Sequence, residues 1–398
     1  MESHDPIAIV GGGPAGALAG SLLAAAGRKV LLFDEKLAWE KPCGGGLTHK
    51  ALQQYPFLTE AQTGHNSVEH CELISPSGQR VRFPLRYPLA IFSRFVLNGL
   101  LLERARKAGV ELRQERITRI YGQSGDWRLT GPGCEHRASF LILAAGARSP
   151  FHGQFAPPIA PDDLVVTAGY YIPGRSSLVQ IQFLSGISGY IWVFPRPDHC
   201  SAGIAGRMGV TSTRELRGML EAWLGKNGFH WEGAPFFSHI LPALRAQSLE
   251  ELRVSGEGWA AIGDCAGLVD PITGEGLYYA LRSAELCAGA LLAECPAEYG
   301  VQLEEEILPE LKLAARVSNR FYNGQVFGGS VVERMISLTA QSETFRDLMR
   351  DLFAGIQGYR DLRARFYRSL PSIMAEGVAG KLRLPWSGSG LATDPSAE

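Results

Sequence analysis

Three glycines near the start of the chain have the spacing of a phosphate-binding turn. Gly11, Gly13 and Gly16 follow the apolar run 7–10 and open a stretch with helical spacing. In such a turn the first glycine permits the tight bend, the second lets the backbone approach a pyrophosphate, and the third lets the helix pack closely on the strand. Asp34 ends the next apolar run, where a carboxylate can accept hydrogen bonds from ribose hydroxyls. The pattern predicts a dinucleotide site.

A second glycine-rich segment lies far along the chain. The apolar run 259–262 leads into Asp264, and Pro271, Gly274 and Gly276 then open another helical stretch. A glycine-rich turn at a helix start directs the positive end of the helix dipole towards a ligand. The segment therefore suits an anionic or electron-rich group.

Two shorter motifs offer reactive or apolar side chains. Cys43 sits in the run Lys-Pro-Cys-Gly-Gly-Gly, where a nearby cation would favour its thiolate; a small filler in a tight loop is the alternative. Tyr190, Trp192 and Phe194 alternate along a predicted strand, so their side chains share one face. That face could be the wall of an apolar substrate site or simply part of a sheet core.

Taken together, these segments resemble FAD-dependent oxidoreductases of the aromatic hydroxylase type and, more closely, the geranylgeranyl reductase family. The similarity is carried by residues 258–288, by the Lys-Pro-Cys-Gly-Gly-Gly run, and by Tyr-Ile-Trp-Val-Phe-Pro at 190–195. It implies that Asp264 contacts the ribityl chain of FAD and that Arg94 reaches its phosphates or adenosine. The implied cofactor-binding residues are Gly11, Gly13, Ala15, Gly16, Asp34, Glu35, Arg94, Ala145, Gly146, Asp264, Pro271, Gly274 and Gly276.

Departures from related patterns favour the reductase branch. Hydroxylases carry an Asp where this chain has Ala145, which weakens a hydroxylase-type use of NAD(P)H. Flavin halogenases have Trp-x-Trp-x-Ile-Pro in the corresponding strand, and Tyr190 and Phe194 both differ from it. The match to the reductase signature is itself incomplete, because the fuller signature begins with a Pro and this chain has Ile187 at that position.

The resemblance implies an enzyme that reduces C=C bonds of a polyprenyl or similarly apolar substrate by hydride transfer from reduced flavin. Cys43, Tyr190 and Trp192 are the candidate catalytic residues, and Tyr190, Trp192 and Phe194 are the candidate substrate-binding residues. Cys43 and Tyr190 are the two candidate proton sources. The sequence shows no second strand–Gly-x-Gly-x-x-Gly–helix unit for a separate nicotinamide domain, so the electron donor, NAD(P)H or ferredoxin, is expected to dock transiently.

Two other functions remain open at this point. One is an FAD monooxygenase or halogenase acting on a small aromatic or pathway intermediate, which oxygen-dependent turnover would reveal. The other is a flavoprotein that modifies a partner protein, which a tight complex on co-purification would favour.

Composition excludes several other classes. Lys and Arg number 39 against 40 Asp and Glu, a net charge of −1 that gives no footprint for nucleic acid. The seven Cys are odd in number and form no Cys-x-x-Cys, so we expect neither a disulfide framework nor a zinc site. A surface hairpin explains His65, His70 and Cys71 better than a metal does. Without an apolar stretch of ~20 residues, a cytoplasmic protein that could touch a membrane peripherally is expected.

The predicted fold class is α/β with added antiparallel β structure. A Rossmann-like FAD-binding domain carries an inserted β-sheet substrate domain and is followed by a C-terminal helical region. Expected local features are a hairpin of 72–74 with 80–83, a helix over 95–108 and a capping box from Ser212 to Glu215. The expected ranges are 1–70, 92–160 and 253–298 for the FAD-binding domain, 71–91 and 161–252 for the substrate-binding domain, 299–385 for the helical region and 386–398 for a frayed tail.

Overall fold

The computed structural model describes residues 5–60, 64–326 and 328–383, so the predicted tail lies outside the described residues. The strands are β1 Ile7–Val10, β2 Val30–Phe33, β3 Gly46–Leu47, β4 His65–Ile74, β5 Arg80–Phe92, β6 Glu111–Arg113, β7 Arg119–Gln123, β8 Asp126–Gly131, β9 Cys134–Ala138, β10 Phe140–Leu143, β11 Leu164–Pro173, β12 Leu178–Phe183, β13 Tyr190–Pro195, β14 His199–Arg207, β15 Phe236–Pro242, β16 Ser255–Gly256, β17 Trp259–Ala261, β18 Gln325–Val326 and β19 Gly329–Ser330. The helices are α1 Pro14–Ala25, α2 His49–Gln54, α3 Phe57–Glu60, α4 Arg94–Ala108, α5 Thr213–Lys226, α6 Ala246–Glu250, α7 Leu277–Leu292, α8 Glu298–Glu306, α9 Leu308–Asn323, α10 Val331–Gln341, α11 Glu343–Ala354 and α12 Tyr359–Arg383.

A parallel sheet in the order β16-β17-β10-β1-β2-β6 forms the first layer. Every residue of β1 and β2 is buried, which explains their continuous apolar sequences. Helix α1 packs on this sheet, and α4 and α7 both pack against α1. The strand at one edge, β16, runs antiparallel to β17. The predicted Rossmann-like α/β architecture is confirmed.

An eight-stranded sheet in the order β15-β11-β14-β13-β12-β4-β5-β3 forms the second layer. Its pairs are antiparallel except that β12 runs parallel to β4, with Leu178 opposite His70. The predicted hairpin of 72–74 with 80–83 was too short, because β4 and β5 extend over 65–74 and 80–92. Pro84, Pro88 and a bulge near Val68 interrupt the alternation that would have marked the longer strands.

Helices cover both faces of this second sheet. Helix α5 opens with the predicted capping box, in which Ser212 and Glu215 bond reciprocally, and it buries Leu216, Leu220 and Leu224 against one face. Helices α10, α11 and α12 pack on the other side, where Phe345 and Leu348 join the same core as Phe83. Among the described residues, no helix is both long and apolar enough to cross a bilayer.

Candidate active site

One large cavity of about 2520 Å³ lies between the parallel sheet, the eight-stranded sheet and the C-terminal helices. Its lining begins at the glycine turn after β1, passes the face of β13 and continues among α9–α12. The two glycine-rich turns, after β1 and after β17, therefore face the same cavity as the aromatic side chains of β13. A cofactor cleft and an apolar chamber are continuous in this protein.

The three glycines of the first turn differ in what a side chain would meet. A Cβ on Gly11 would overlap the carbonyl of Ala144, and Gly11 also has φ +115°. A Cβ on Gly16 would overlap the carbonyl oxygen of Gly11, and Gly16 lies beneath the cavity rather than in its wall. A Cβ on Gly13 would have nothing within 4 Å. Gly11 and Gly16 thus serve the fold, whereas Gly13 leaves space in the cavity.

Asp34 fixes this turn in place. Its Oδ2 accepts a hydrogen bond from the Gly12 amide at 2.7 Å, and its Oδ1 accepts from the amides of Lys36 and Leu37 at 2.8 Å each. Two carboxylate oxygens offer about four acceptor positions, so capacity remains for a ribose hydroxyl. Glu35 lies beside it in the cavity wall.

The second glycine segment meets the Lys-Pro-Cys-Gly-Gly-Gly run through an ion pair. Lys41 Nζ contacts Asp264 Oδ2 at 3.0 Å. Burial alone would raise the pKa of Asp264, but the charge and hydrogen bond of Lys41 outweigh it, and the pKa lies below its usual value. A Cβ on Gly276 would come within 3.2 Å of Asp264 Oδ1. Lys41 is thus engaged by a carboxylate of the second glycine segment.

Arg94 is buried, at 3 % exposure, and lines the cavity. It is the first residue of α4 rather than the residue before it. Its guanidinium donates to Asn98 Oδ1 at 3.2 Å, and no carboxylate within the described ranges forms an ion pair with it. A buried cation that faces a cavity and has no carboxylate bonded to it is suited to hold an anion such as a phosphate.

A buried ion pair positions the loop that carries Cys43. Arg196 is fully buried; it donates to Glu40 Oε1 at 2.6 Å and to the carbonyl oxygen of Cys43 at 2.7 Å. Ser201 Oγ donates to the same carbonyl at 3.0 Å. Glu40 also accepts from the Ser93 hydroxyl and the Arg94 amide at the start of α4. Neither Arg196 nor Glu40 was identified from the sequence, because their contact joins residues 156 positions apart.

The aromatic side chains of β13 form one wall of the cavity. Tyr190, Trp192 and Phe194 all line it, whereas Ile191 and Val193 point the other way into the core beneath α5. The Tyr190 and Trp192 ring centroids are 6.1 Å apart. A Cβ on Gly44 would come within 2.8 Å of the Phe194 ring, so the Cys43 loop rests on this wall.

The Tyr190 hydroxyl already donates a hydrogen bond within the protein. It donates to the carbonyl oxygen of Thr273 at 2.5 Å. Burial, followed by the charge of Asp270, raises the pKa of Tyr190 well above its ordinary value. These contacts make Tyr190 a poor source of protons.

Glu275 and His239 line the cavity and were among the titratable groups that the sequence analysis did not single out. Burial and then the charge of Asp270 raise the pKa of Glu275 to about 7. Burial and then the charge of Lys41 lower the pKa of His239 to about 4, so its imidazole is neutral at pH 7. Glu275 stands inside the predicted glycine motif, and its position between Gly274 and Gly276 was the one available signal.

The remaining predicted residues are distributed as follows. The cavity wall contains Gly11, Gly13, Ala15, Asp34, Glu35, Cys43, Arg94, Ala145, Gly146, Tyr190, Trp192, Phe194, Asp264, Pro271, Gly274 and Gly276. His65, His70 and Cys71 lie on β4. A group with metal-ligand geometry in the described residues is instead Glu115, Cys134 and His136, whose ligand atoms lie within 4.8 Å of one another. A Glu115–His136 hydrogen bond of 2.7 Å already accounts for two of them.

The cleft fits a flavin dinucleotide. The turn at Gly13 leaves room for a pyrophosphate, and Arg94 offers a buried positive charge. Asp34 has acceptor capacity left for a ribose hydroxyl, and α7 begins beside Gly276, close to Asp264. Backbone N–H groups at a helix start and a buried guanidinium are the donors that such phosphates need.

The first glycine turn falls within a known domain family, and the whole chain has curated relatives. The family model for an NAD(P)-binding Rossmann-like domain matches residues 9–69. A geranylgeranyl diphosphate reductase of Synechocystis is 26 % identical over 87 % of this chain and 89 % of its own, and one of Rhodobacter capsulatus is 26 % identical over 90 % and 95 %.

Solved structures share the fold. A geranylgeranyl bacteriochlorophyll reductase-like protein from Thermoplasma acidophilum superposes with a TM-score of 0.76 at 17 % identity, covering 94 % of this chain and 99 % of that one. A flavin-dependent brominase gives a TM-score of 0.69 at 18 % identity, covering 92 % and 99 %. The curated relatives are reductases, and the solved proteins that share the fold include flavin-dependent enzymes. The predicted resemblance to the geranylgeranyl reductase family is confirmed.

Proposed function

We propose that this protein is an FAD-dependent reductase of C=C bonds in a polyprenyl or similarly apolar substrate. The observation that carries the proposal is the continuity of the cavity, in which the dinucleotide cleft opens directly into a chamber walled by β13 and by apolar residues of α10–α12. Its volume of about 2520 Å³ is more than twice that of an ordinary small-molecule site. A long hydrocarbon and a dinucleotide could occupy it together.

FAD is proposed as the flavin because the glycine turn, Asp34 and Arg94 together suit an adenine dinucleotide. A halogenase of the same fold has been solved with FAD. When bound, reduced FAD supplies a hydride. The protein's own residues orient the substrate against the wall of Tyr190, Trp192 and Phe194 and exclude water from it. Cys43, held through its carbonyl by Arg196, is proposed to position the reacting bond.

The electron donor is proposed to be a transient partner, either NAD(P)H or ferredoxin. The cofactor cleft is open to solvent near Glu35 and Lys36, both of which line the cavity and are exposed. A donor could reach the cofactor there without entering the apolar chamber.

Contact with a lipid surface is proposed at the other end of the cavity. Tyr367, Met374 and Val378 line it and are 58 %, 64 % and 63 % exposed. They lie on α12, whose described side chains also include the basic residues Arg360, Arg363 and Arg368 and the acids Asp361 and Glu376. Arg365 on the same helix is paired with Asp351. Exposed apolar residues flanked by cations suit an anionic bilayer.

Anaerobic reduction followed by a choice of oxidants tests the function. Chemically reduced enzyme is mixed with geranylgeranyl lipids, and in parallel with oxygen and small aromatic compounds. A saturated lipid product and reoxidised flavin are expected in the first mixture. An oxygenated or halogenated aromatic product, with the lipid unchanged, would support the monooxygenase or halogenase alternative.

A further inference from the structure

Glu275 joins the two loops that face each other across the cavity. Its carboxylate accepts a hydrogen bond from Thr48 Oγ1 at 3.4 Å, in the segment that follows the Cys43 loop. Its neighbours in sequence touch two other parts of the site. A Cβ on Gly274 would lie 2.8 Å from the Tyr190 hydroxyl, and a Cβ on Gly276 would lie 3.2 Å from Asp264 Oδ1. The turn therefore stands between the aromatic wall and the carboxylate expected to hold the cofactor.

Burial is the main reason that the pKa of Glu275 is raised to about 7, and the groups around it act in both directions. Asp270, in the same turn, disfavours its charged form, whereas Lys50 on α2 and the Thr48 hydroxyl favour it. Tyr279 on α7 lies in the same cluster, and Tyr359 on α12 donates to Asp270 at 2.8 Å. An acid that can give up and regain a proton near neutral pH is what general-acid catalysis requires.

We propose that Glu275 is the proton donor in the reduction, a role that rests on the proposed function. The alkene takes up one hydride and one proton. The O–H bond of the Glu275 carboxyl breaks as the new C–H bond forms, and the bonding pair stays on the carboxylate, which regains a proton from solvent. Two electrons come with the hydride and originate from the external donor.

The test measures substrate-dependent reoxidation of pre-reduced enzyme as a function of pH. Glu275→Gln keeps the hydrogen-bond acceptor for Thr48 but carries no acidic proton. We expect its rate to fall ~100-fold or more, the usual scale for a positioned acid, with unchanged flavin content. The wild-type rate should be high below pH 7 and fall above it, because the donor must be protonated. Glu285→Gln, the same substitution on α7 outside the cavity wall, serves as the matched control.

A second readout does not depend on turnover. Infrared titration of the carboxyl C=O band should show a group titrating near neutral pH in the wild type and in Glu285→Gln, and its loss in Glu275→Gln. A Glu275→Gln variant that turns over at the wild-type rate would overturn the proposal. Failure of the wild type to reduce any alkene would instead overturn the proposed function.

Thr48→Val provides a test if Glu275→Gln does not fold or retain flavin. Removing a hydrogen bond to the carboxylate disfavours the charged form. The pH at which the rate falls should therefore move upward in Thr48→Val. An unmoved pH profile would overturn the role of Glu275.

Discussion

Gly13 has only a hydrogen atom as its side chain, and this leaves room for a cofactor in the cavity. A Cβ there would meet no protein atom within 4 Å, whereas one at Gly16 would overlap the backbone. We therefore expect Gly13→Val to fold normally but to bind no flavin, as judged by absorbance of the purified protein. Gly16→Val is the contrasting variant, expected to lower stability or prevent folding. Full flavin occupancy in Gly13→Val would refute the placement of the pyrophosphate.

Cys43 offers a second test at the residue scale. Its side chain is partly exposed in the cavity and accepts one hydrogen bond, from the Gly45 amide at 3.3 Å. Cys43→Ala should leave the free energy of unfolding within ~0.5 kcal/mol of wild type. Turnover should fall ~10-fold or more if the thiol positions the substrate, since small misplacements are costly. Because Glu275 is the proposed proton donor, Cys43→Ser should retain activity; wild-type rates in both variants would make Cys43 a loop filler.

At the scale of elements, the Arg196–Glu40 pair joins β13, the Cys43 loop and α4. Burial alone would raise the pKa of Glu40, but the charge of Arg196 and hydrogen bonds from Ser93 and the α4 backbone leave it below its ordinary value. Removing one member of a buried ion pair leaves the charge of the other without a partner, which is destabilising. Arg196→Met should therefore destabilise the fold by about 2–3 kcal/mol, less than for a fully buried pair because Glu40 is partly exposed.

Denaturant unfolding and turnover measure the two consequences of Arg196→Met. We expect reduced turnover even where the variant is fully folded, because the carbonyl of Cys43 loses a donor. Arg106→Met, in an exposed pair with Glu103, is the control and should change neither quantity. Equal stability of Arg196→Met and wild type would contradict the buried-pair argument.

The same elements show what a sequence can predict. The parallel strands and their glycine turns were predicted because short apolar runs and glycine spacing are local signals. The face shared by Tyr190, Trp192 and Phe194 followed from strand periodicity. Arg196 was not identified from the sequence because its role depends on Glu40 in another part of the chain. Glu275 was not identified because its partner Thr48 is 227 positions away. Local sequence patterns therefore do not reveal site residues whose roles depend on contacts between distant elements.

For the whole molecule, the exposed end of the cavity predicts binding to lipid vesicles. Met374→Glu combined with Val378→Glu should weaken association with vesicles of phosphatidylglycerol and phosphatidylcholine ~10-fold or more, because two apolar side chains no longer enter the lipid. Sedimentation of enzyme with vesicles measures the bound fraction. Val210→Glu, at an exposed site away from the cavity wall, is the control. Unchanged binding of the double variant would remove α12 from the lipid contact.

The order of strands in the parallel sheet constrains how the chain is made. Strand β10 is flanked by β1 and by β17, so the sheet is incomplete until residue 261 has been synthesised. At about 5–20 residues per second, the nascent chain spends many seconds with one edge of β10 unpaired. Meanwhile the eight-stranded sheet closes its parallel β4–β12 pair across more than a hundred residues. A chain truncated before Trp259 would keep that apolar edge of β10 open to pairing with other chains.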